Sequence, residues 1–227
     1  MNLSDLRAHW DYFLALDEDL RTLRRYIAFH EDNLETFSLE LHRIIQMAAL
    51  EVEAVLLSLC RGIFGGCDGK RSPSFTQLDR WSTDFFRRKW GIEVEDIEVH
   101  FLGLEVPLKP LDPQGQPVYP WWDAYTSLKH GRPQALKKAT LRHALMAVGA
   151  LATWLTLWSL GLPKPDGNLH PVPEVVRKVM CRGHSLGEPA HVYDFPYEVW
   201  YVEPLTNAHT LSRPDPGQSG AGPGAGP

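Results

Sequence analysis

The feature that most constrains the fold is an uncharged stretch in the second half of the sequence. Residues 144–163, ALMAVGALATWLTLWSLGLP, form a run of 20 residues without a charged side chain. Such a run suits either a membrane-spanning helix or a helix buried on all sides in a protein core. Its hydroxyl side chains (Thr153, Thr156 and Ser159) and its two glycines favour the core helix. We therefore predict a helical domain around this segment, with membrane association through 144–163 as an alternative.

The composition agrees with one folded domain. The chain has 227 residues, of which 44% are apolar, so a sizeable core is expected. The net charge of -5 disfavours a protein that contacts nucleic acid over its whole surface, but permits a local basic patch. Three cysteines are too few for a disulfide framework and favour a reducing setting. The first residues lack the basic and apolar regions of a secretory signal, so we expect a cytoplasmic protein.

Apolar periodicity predicts a mainly α fold, an up-and-down helical bundle with a short β element. The predicted helices cover residues 3–29, 33–60, 74–90, 121–130 and 133–160. A short strand is expected within 92–111, a helical turn at Val175–Met180 and a strand-like stretch at 191–202. Residues 1–205 are predicted to form a single domain. Residues 206–227, rich in Pro, Gly and Ser, are expected to be disordered.

Two sequence patterns resemble known motifs but fail on a required position. The stretch GIFGGCDGKR lacks two residues of a phosphate-binding loop, because Phe64 stands where the first Gly is needed and Arg71 where Ser or Thr is needed. We interpret it as a connector. The segment at His30 lacks the second histidine of a zinc-protease helix, since Leu34 occupies that position.

The sequence also offers a weak set of zinc ligands near its C-terminal end. Cys181, His184 and His191 are of the right residue types, but no CxxC pair accompanies them and a fourth ligand is not evident. We therefore expect neither a metal ion nor a cofactor.

The best functional candidate is the segment Trp121–Arg132, WWDAYTSLKHGR. On a helix, Trp121, Tyr125 and Leu128 share one face, which should pack into the core. His130 points nearly away from that face. Gly131 and Pro133 then interrupt the helix, so the polar residues Lys129, His130 and Arg132 are expected at a junction between two helices.

This segment begins the one basic part of an acidic chain. No acidic residue occurs from Ala124 to Pro165. The cations in that range are Lys129, Arg132, Lys137, Lys138, Arg142 and Lys164, with His130 and His143. A local phosphate-binding surface requires such a concentration of positive charge.

Glu51 is the second candidate, because its position is at the edge of the apolar stripe of the helix 33–60. A carboxylate at such a place should seek a cationic partner, for which Lys129, His130 and Arg132 are candidates. The alternative is an ordinary structural ion pair.

The segments WWDAYTSLKHGR and ATLRHALMAVGALATW resemble a group of uncharacterised bacterial HEPN-like helical proteins with a W-x-x-Y-N-x-x-K-H-x-R signature. An upstream N-x-x-T-F-S element, here residues 33–38, and an E-V-E element, here residues 51–53, are similar as well. The resemblance spans about residues 33–160. The chain departs from it in two ways. Thr126 stands where Asn is expected, and His130 precedes Arg132, whereas HEPN ribonucleases have the order R-x4–6-H.

The resemblance implies an HEPN-like bundle and metal-independent RNA cleavage. In that mechanism His130 would transfer protons, Arg132 would bind the phosphate and Lys129 would assist electrostatically. Glu51 would orient one of these groups and Trp122 would stack on a base. The remaining substrate-binding candidates are Lys137, Lys138 and Arg142.

Three functional hypotheses follow. The favoured one is a non-catalytic HEPN-like module that binds RNA, a nucleotide or a partner protein through the Lys129/His130/Arg132 region. The alternatives are a metal-independent ribonuclease, such as a toxin or defence effector, and a membrane-associated protein. The resemblance also implies a homodimer, because HEPN-like domains commonly pair through their helices.

Overall fold

The computed structural model describes residues 3–64, 73–94, 97–109, 118–131, 133–162, 169–182, 189–194 and 199–202. These residues form five α-helices and five β-strands, with two short 3-10 helices at Glu31–Asn33 and Pro133–Lys138. In chain order the elements are α1 (Leu3–Leu23), α2 (Leu39–Phe64), α3 (Phe75–Trp90), β1 (Ile97–Phe101), β2 (Leu104–Pro107), α4 (Pro120–Lys129), α5 (Leu141–Leu160), β3 (Val176–Arg182), β4 (Pro189–Asp194) and β5 (Val199–Val202).

Helix α5 is the centre of the core. Every one of its residues except Arg142 and His143 is buried. Helices α1, α2 and α4 contact it, and strands β1, β2 and β3 also pack on it. Of its buried hydroxyl side chains, Thr156 donates to the carbonyl of Ala152 at 2.7 Å, whereas Thr153 Oγ1 has no hydrogen-bond partner among the described residues. The expected core helix is confirmed.

The same helix is long and apolar enough to cross a membrane, and it is the one such helix among the described residues. However, 94% of its most apolar stretch is buried inside the protein. Other elements of the same chain therefore already cover the surface that a membrane span would present to lipid.

The five strands form one antiparallel sheet in the order β2-β1-β3-β4-β5. The inward side chains of β1 lie against α5 at Gly149, where a Cβ atom would approach Val99 to 3.3 Å. A glycine at this helical position lets the sheet approach the helix closely. The sheet is larger than the short β element predicted from the sequence.

The prediction of a mainly helical fold is confirmed, but several element bounds differ. Helix α1 ends at Leu23 instead of near residue 29, and residues 34–38 are not helical. Residues 133–160 form a 3-10 helix and α5, separated at Thr140, instead of one helix. The predicted tail, 206–227, lies outside the described residues.

The helical turn predicted at Val175–Met180 is wrong, because these residues belong to strand β3 and its approach. The buried aspartate Asp17 of α1 explains how this segment is held. Its carboxylate accepts hydrogen bonds from the backbone N–H groups of Glu174 (2.6 Å), Val175 (3.1 Å) and Val176 (3.0 Å). Burial raises the pKa of Asp17, and these three N–H donors oppose that rise. These hydrogen bonds join α1 to β3, which lie at opposite ends of most of the sequence. Local periodicity therefore could not predict them.

A second buried polar cluster connects α3 to the segments on either side of residues 110–117. The ammonium group of Lys109 lies 2.8 Å from the carboxylate of Asp79, and both side chains are 2% exposed. Lys109 also donates to Thr83 at 2.9 Å, and the Tyr119 hydroxyl donates to Asp79 at 2.6 Å. Such a pair is stable inside a core because each charge has further hydrogen-bond partners.

The structure shows one feature of cysteine chemistry that the sequence analysis did not predict. Cys60, buried near the end of α2, is disulfide-bonded. One disulfide is not the framework of a small secreted domain, and the reducing setting inferred from three sparse cysteines stays a prediction.

Removing the carboxylate of Asp17 tests the tie between α1 and β3. Asp17→Ala leaves buried N–H groups of residues 175 and 176 without their acceptor, so we expect it to lower the free energy of unfolding by about 2–4 kcal/mol. Asp11→Ala, on an exposed position of the same helix, should change it by less than about 0.5 kcal/mol. Urea denaturation followed by circular dichroism measures both, and equal small effects would contradict the assigned role.

Candidate functional site

Helix α4 separates the Trp121–Arg132 segment into the two parts expected from its helical phase. Trp121, Tyr125 and Leu128 are buried in the core. Lys129 and His130 are exposed at the C-terminal end of the helix. The sequence pattern therefore predicted correctly which side chains pack and which reach solvent.

The end of α4 is shaped by Gly131. This residue has a φ of 66°, in the left-handed region that glycine adopts without strain, and its N–H donates to the carbonyl of Leu128 at 3.0 Å. The turn leaves His130 at the helix end, while the Lys129 ammonium lies 5.6 Å from the centre of the Tyr125 ring. Arg132 lies outside the described residues.

The beginning of α5 is held by the segment that precedes α2. The N–H groups of Leu141 and Arg142 donate to the carbonyls of Thr36 and Leu34, both at 2.9 Å. Thr140 caps the helix by accepting the N–H of His143. These contacts occupy the first N–H groups of α5, so the helix terminus itself is not an open anion site.

A cleft of about 430 Å³ lies between α4 and the 3-10 helix Pro133–Lys138. Two side chains from opposite sides of it meet, since the Lys138 ammonium donates to the Ser127 hydroxyl at 2.9 Å. The described residues that line it are Thr126, Ser127, His130, Gln134, Ala135 and Lys138. The structure thus brings His130 and Lys138 to one cleft, with the exposed Lys129 and Lys137 on adjoining segments.

Trp122 is placed differently from what base stacking requires. Its ring stacks on Phe75 with 3.9 Å between centroids and 16° between planes, and it also contacts Tyr125 at 4.9 Å. Because Phe75 covers one face of the indole, Trp122 joins α3 to α4 and has at most its other face for a ligand.

Glu51 does not pair with Lys129 or His130, the described residues among its expected partners, but forms the structural ion pair that was the alternative. Its carboxylate lies 2.5 Å from Nδ1 of His9 on α1, and the two side chains are only 15% and 18% exposed. The His9 ring also contacts Trp158 of α5, with centroids 5.5 Å apart. Burial is the main cause that raises the pKa of nearby Tyr12, and the negative charge of Glu51 raises that pKa further. Glu51 therefore belongs to an α1–α2 contact and not to the end of α4.

Arg142 is also separated from the other candidates. Its guanidinium binds the carboxylate of Glu35 at 2.8 Å, and it lines a different and larger cleft of about 820 Å³. That cleft runs over the outer side of the β1–β2 hairpin, where Glu98, His100 and Glu105 come together. Sequence reasoning missed these three residues, although Glu98 and His100 alternate with apolar residues in a pattern typical of a strand.

No family model, curated protein or solved structure matches the chain. The interpretation of the site therefore depends on its own residues and their contacts.

A double-mutant cycle tests where Glu51 belongs. Glu51→Ala and His9→Ala should show a coupling in unfolding free energy of about 1 kcal/mol, because the two side chains are in direct contact. Glu51→Ala combined with His130→Ala should be additive within about 0.5 kcal/mol. Urea denaturation of the single and double variants measures both couplings. A larger coupling to His130 than to His9 would contradict this placement.

Proposed function

We propose that the cleft at the end of α4 binds the phosphate groups of RNA and that the protein does not cleave it. The observation that carries this proposal is the chemistry of the cleft lining. Its polar side chains are hydroxyl, amide, imidazole and ammonium groups, all able to donate to phosphate oxygens, and no carboxylate is among the described lining residues.

The charges around the cleft support the same proposal. Lys129, Lys137 and Lys138 are exposed, and the described ion pairs do not join any of them to a carboxylate. Elsewhere Arg21, Arg43, Arg87 and Arg142 are each held by a glutamate or aspartate. The exposed Arg80 and Arg88 of α3 also have no carboxylate partner among the described ion pairs, but the two do not lie at this cleft. Asp123, one helical turn before Ser127, is the nearest carboxylate along the chain. Unpaired cations on a chain of net negative charge favour a polyanionic ligand, because binding releases its counterions.

Binding without cleavage is the part of the proposal that rests on side-chain positions. Cleavage at a 2′-hydroxyl requires one group to accept a proton and another to donate one. Among the described cleft residues, His130 is the one imidazole, the side-chain type best suited to proton transfer near neutral pH. Glu51, the expected second group, is bound to His9.

The resemblance to HEPN-like proteins is part of what supports this proposal. Its two motif regions are neighbours in space: Ser38 donates its N–H to the carbonyl of Ala139, and Phe37 forms a β-bridge with Thr140. The Thr126 hydroxyl, at the position where the signature has Asn, donates to the carbonyl of Asp123 in its own helix. A protein partner at the same surface and the homodimer implied by the resemblance remain predictions from the sequence.

RNA binding is tested by charge reversal. A labelled single-stranded RNA, followed by fluorescence anisotropy, should bind wild-type protein with an affinity that falls as salt rises. Lys137→Glu/Lys138→Glu should weaken binding at least about tenfold, a loss of about 1.4 kcal/mol. The control Arg80→Glu/Arg88→Glu makes the same charge change on α3, and should have a much smaller effect. Equal losses in the two double variants, or no binding by wild type, would refute the proposed surface.

Cleavage is tested separately with the same RNA. We expect it to stay intact after incubation with wild-type protein in EDTA, as judged by denaturing gel electrophoresis. The ribonuclease alternative instead predicts cleavage that survives EDTA and is lost in His130→Ala, because that substitution removes the proton-transferring group. Lys138→Met keeps His130 and serves as the matched control for a weakened surface.

A further inference from the structure

We propose that Glu98, His100 and Glu105 form a binding site for a divalent transition-metal ion on the outer face of the β1–β2 hairpin. One ligand atom from each of these side chains lies within 4.8 Å of the others. This site is separate from the cleft at the end of α4 and does not depend on the RNA-binding proposal.

Strand geometry places the three side chains together. Alternate residues of a strand point to opposite faces of its sheet. In β1 the residues Ile97, Val99 and Phe101 are buried against the core, so Glu98 and His100 share the outer face. His100 pairs directly with Glu105 in the antiparallel register of β1 and β2. The hairpin backbone therefore sets the spacing of the cluster, and a rigid sheet positions ligands more precisely than a loop does.

The distance between two of the ligand atoms suits a shared ion. His100 Nδ1 and Glu105 Oε1 are 3.2 Å apart. Two ligands that each lie about 2.0–2.2 Å from one zinc ion in tetrahedral geometry are separated by about 3.3–3.6 Å. Nδ1 makes the polar contact of the His100 ring, since Nε2 is buried without a hydrogen-bond partner in the described part of the chain.

The chemical nature of the ligands points to the class of ion. One imidazole and two carboxylates suit Zn²⁺ or Mn²⁺ better than the soft ions that prefer thiolates. Three protein ligands also leave a coordination position for water, as in catalytic zinc sites. The Glu105 side chain is 58% exposed and opens into the cleft of about 820 Å³, which has room for that water.

Other charged groups near the cluster define the competing explanation. Lys178 of β3 lies opposite His100 in the sheet register, and His30, Glu31 and Arg142 line the same cleft. Without a metal ion, Glu98, His100 and Glu105 would be held by ion pairs with each other and with Lys178. The two explanations differ in whether the protein takes up a stoichiometric ion.

The test is isothermal titration calorimetry of the full chain with ZnCl₂, after removal of metal with EDTA and without an affinity tag. We expect one ion per chain. Glu105→Gln and His100→Ala should each weaken zinc binding by more than about tenfold, because even groups that only orient a metal ligand have effects of 10–100-fold. Glu31→Gln and His30→Ala are matched controls, since they make the same changes in the same cleft outside the cluster, and they should retain binding.

The result can overturn the proposal in two ways. Failure of the wild-type protein to bind zinc would leave the ion-pair explanation. Zinc binding that persists in both Glu105→Gln and His100→Ala would place the ion elsewhere, for example on a cysteine. Circular dichroism checks the fold of each variant, and Glu105→Gln, at a mostly exposed position, provides the decisive comparison if His100→Ala does not fold.

Discussion

Helix α5 has no side that can face water, and the arrangement of the other elements follows from that constraint. Eighteen of its 20 residues are buried, including two tryptophans. Burying one large apolar side chain is worth about 1.5–3 kcal/mol, so leaving any face of this helix open would cost more than most single contacts can offset. Helices α1, α2 and α4 and the sheet therefore surround it.

The same constraint explains where polar chemistry can occur. Arg142 and His143, at the start of α5, are its two residues that are not buried, and residues 34–38 hold this end by backbone hydrogen bonds. In the segment before it, Lys129, His130, Lys137 and Lys138 are exposed between α4 and α5. The sheet also buries one face against α5, which leaves the alternate residues Glu98 and His100 on its outer face. Both proposed sites thus lie at the edge of the α5 core.

Local periodicity predicted the helices and the buried face of α4 well, because a helical repeat is set by residues a few positions apart. It failed where a contact between distant residues decides the outcome. Residues 175–180 are extended because Asp17 of α1 accepts hydrogen bonds from their backbone and because β1 pairs with them. Glu51 met His9 from a neighbouring helix, and Arg142 met Glu35 instead of joining Lys138. Helical phase gave the direction of these side chains but not the element they would face.

The sequence by itself therefore determined that the chain is mainly helical, that residues 144–160 form its core helix and that Lys129 and His130 reach solvent. These properties depend on apolar patterning and on Gly131, which act over short range. Only the tertiary structure decided which charged groups meet. It placed the basic residues at two separate clefts, and it paired Glu51 of α2 with His9 of α1. It also brought Glu98, His100 and Glu105 together across a hairpin. The physical reason is that ion pairs and ligand clusters form between side chains a few ångströms apart in space, and that proximity comes from packing around α5.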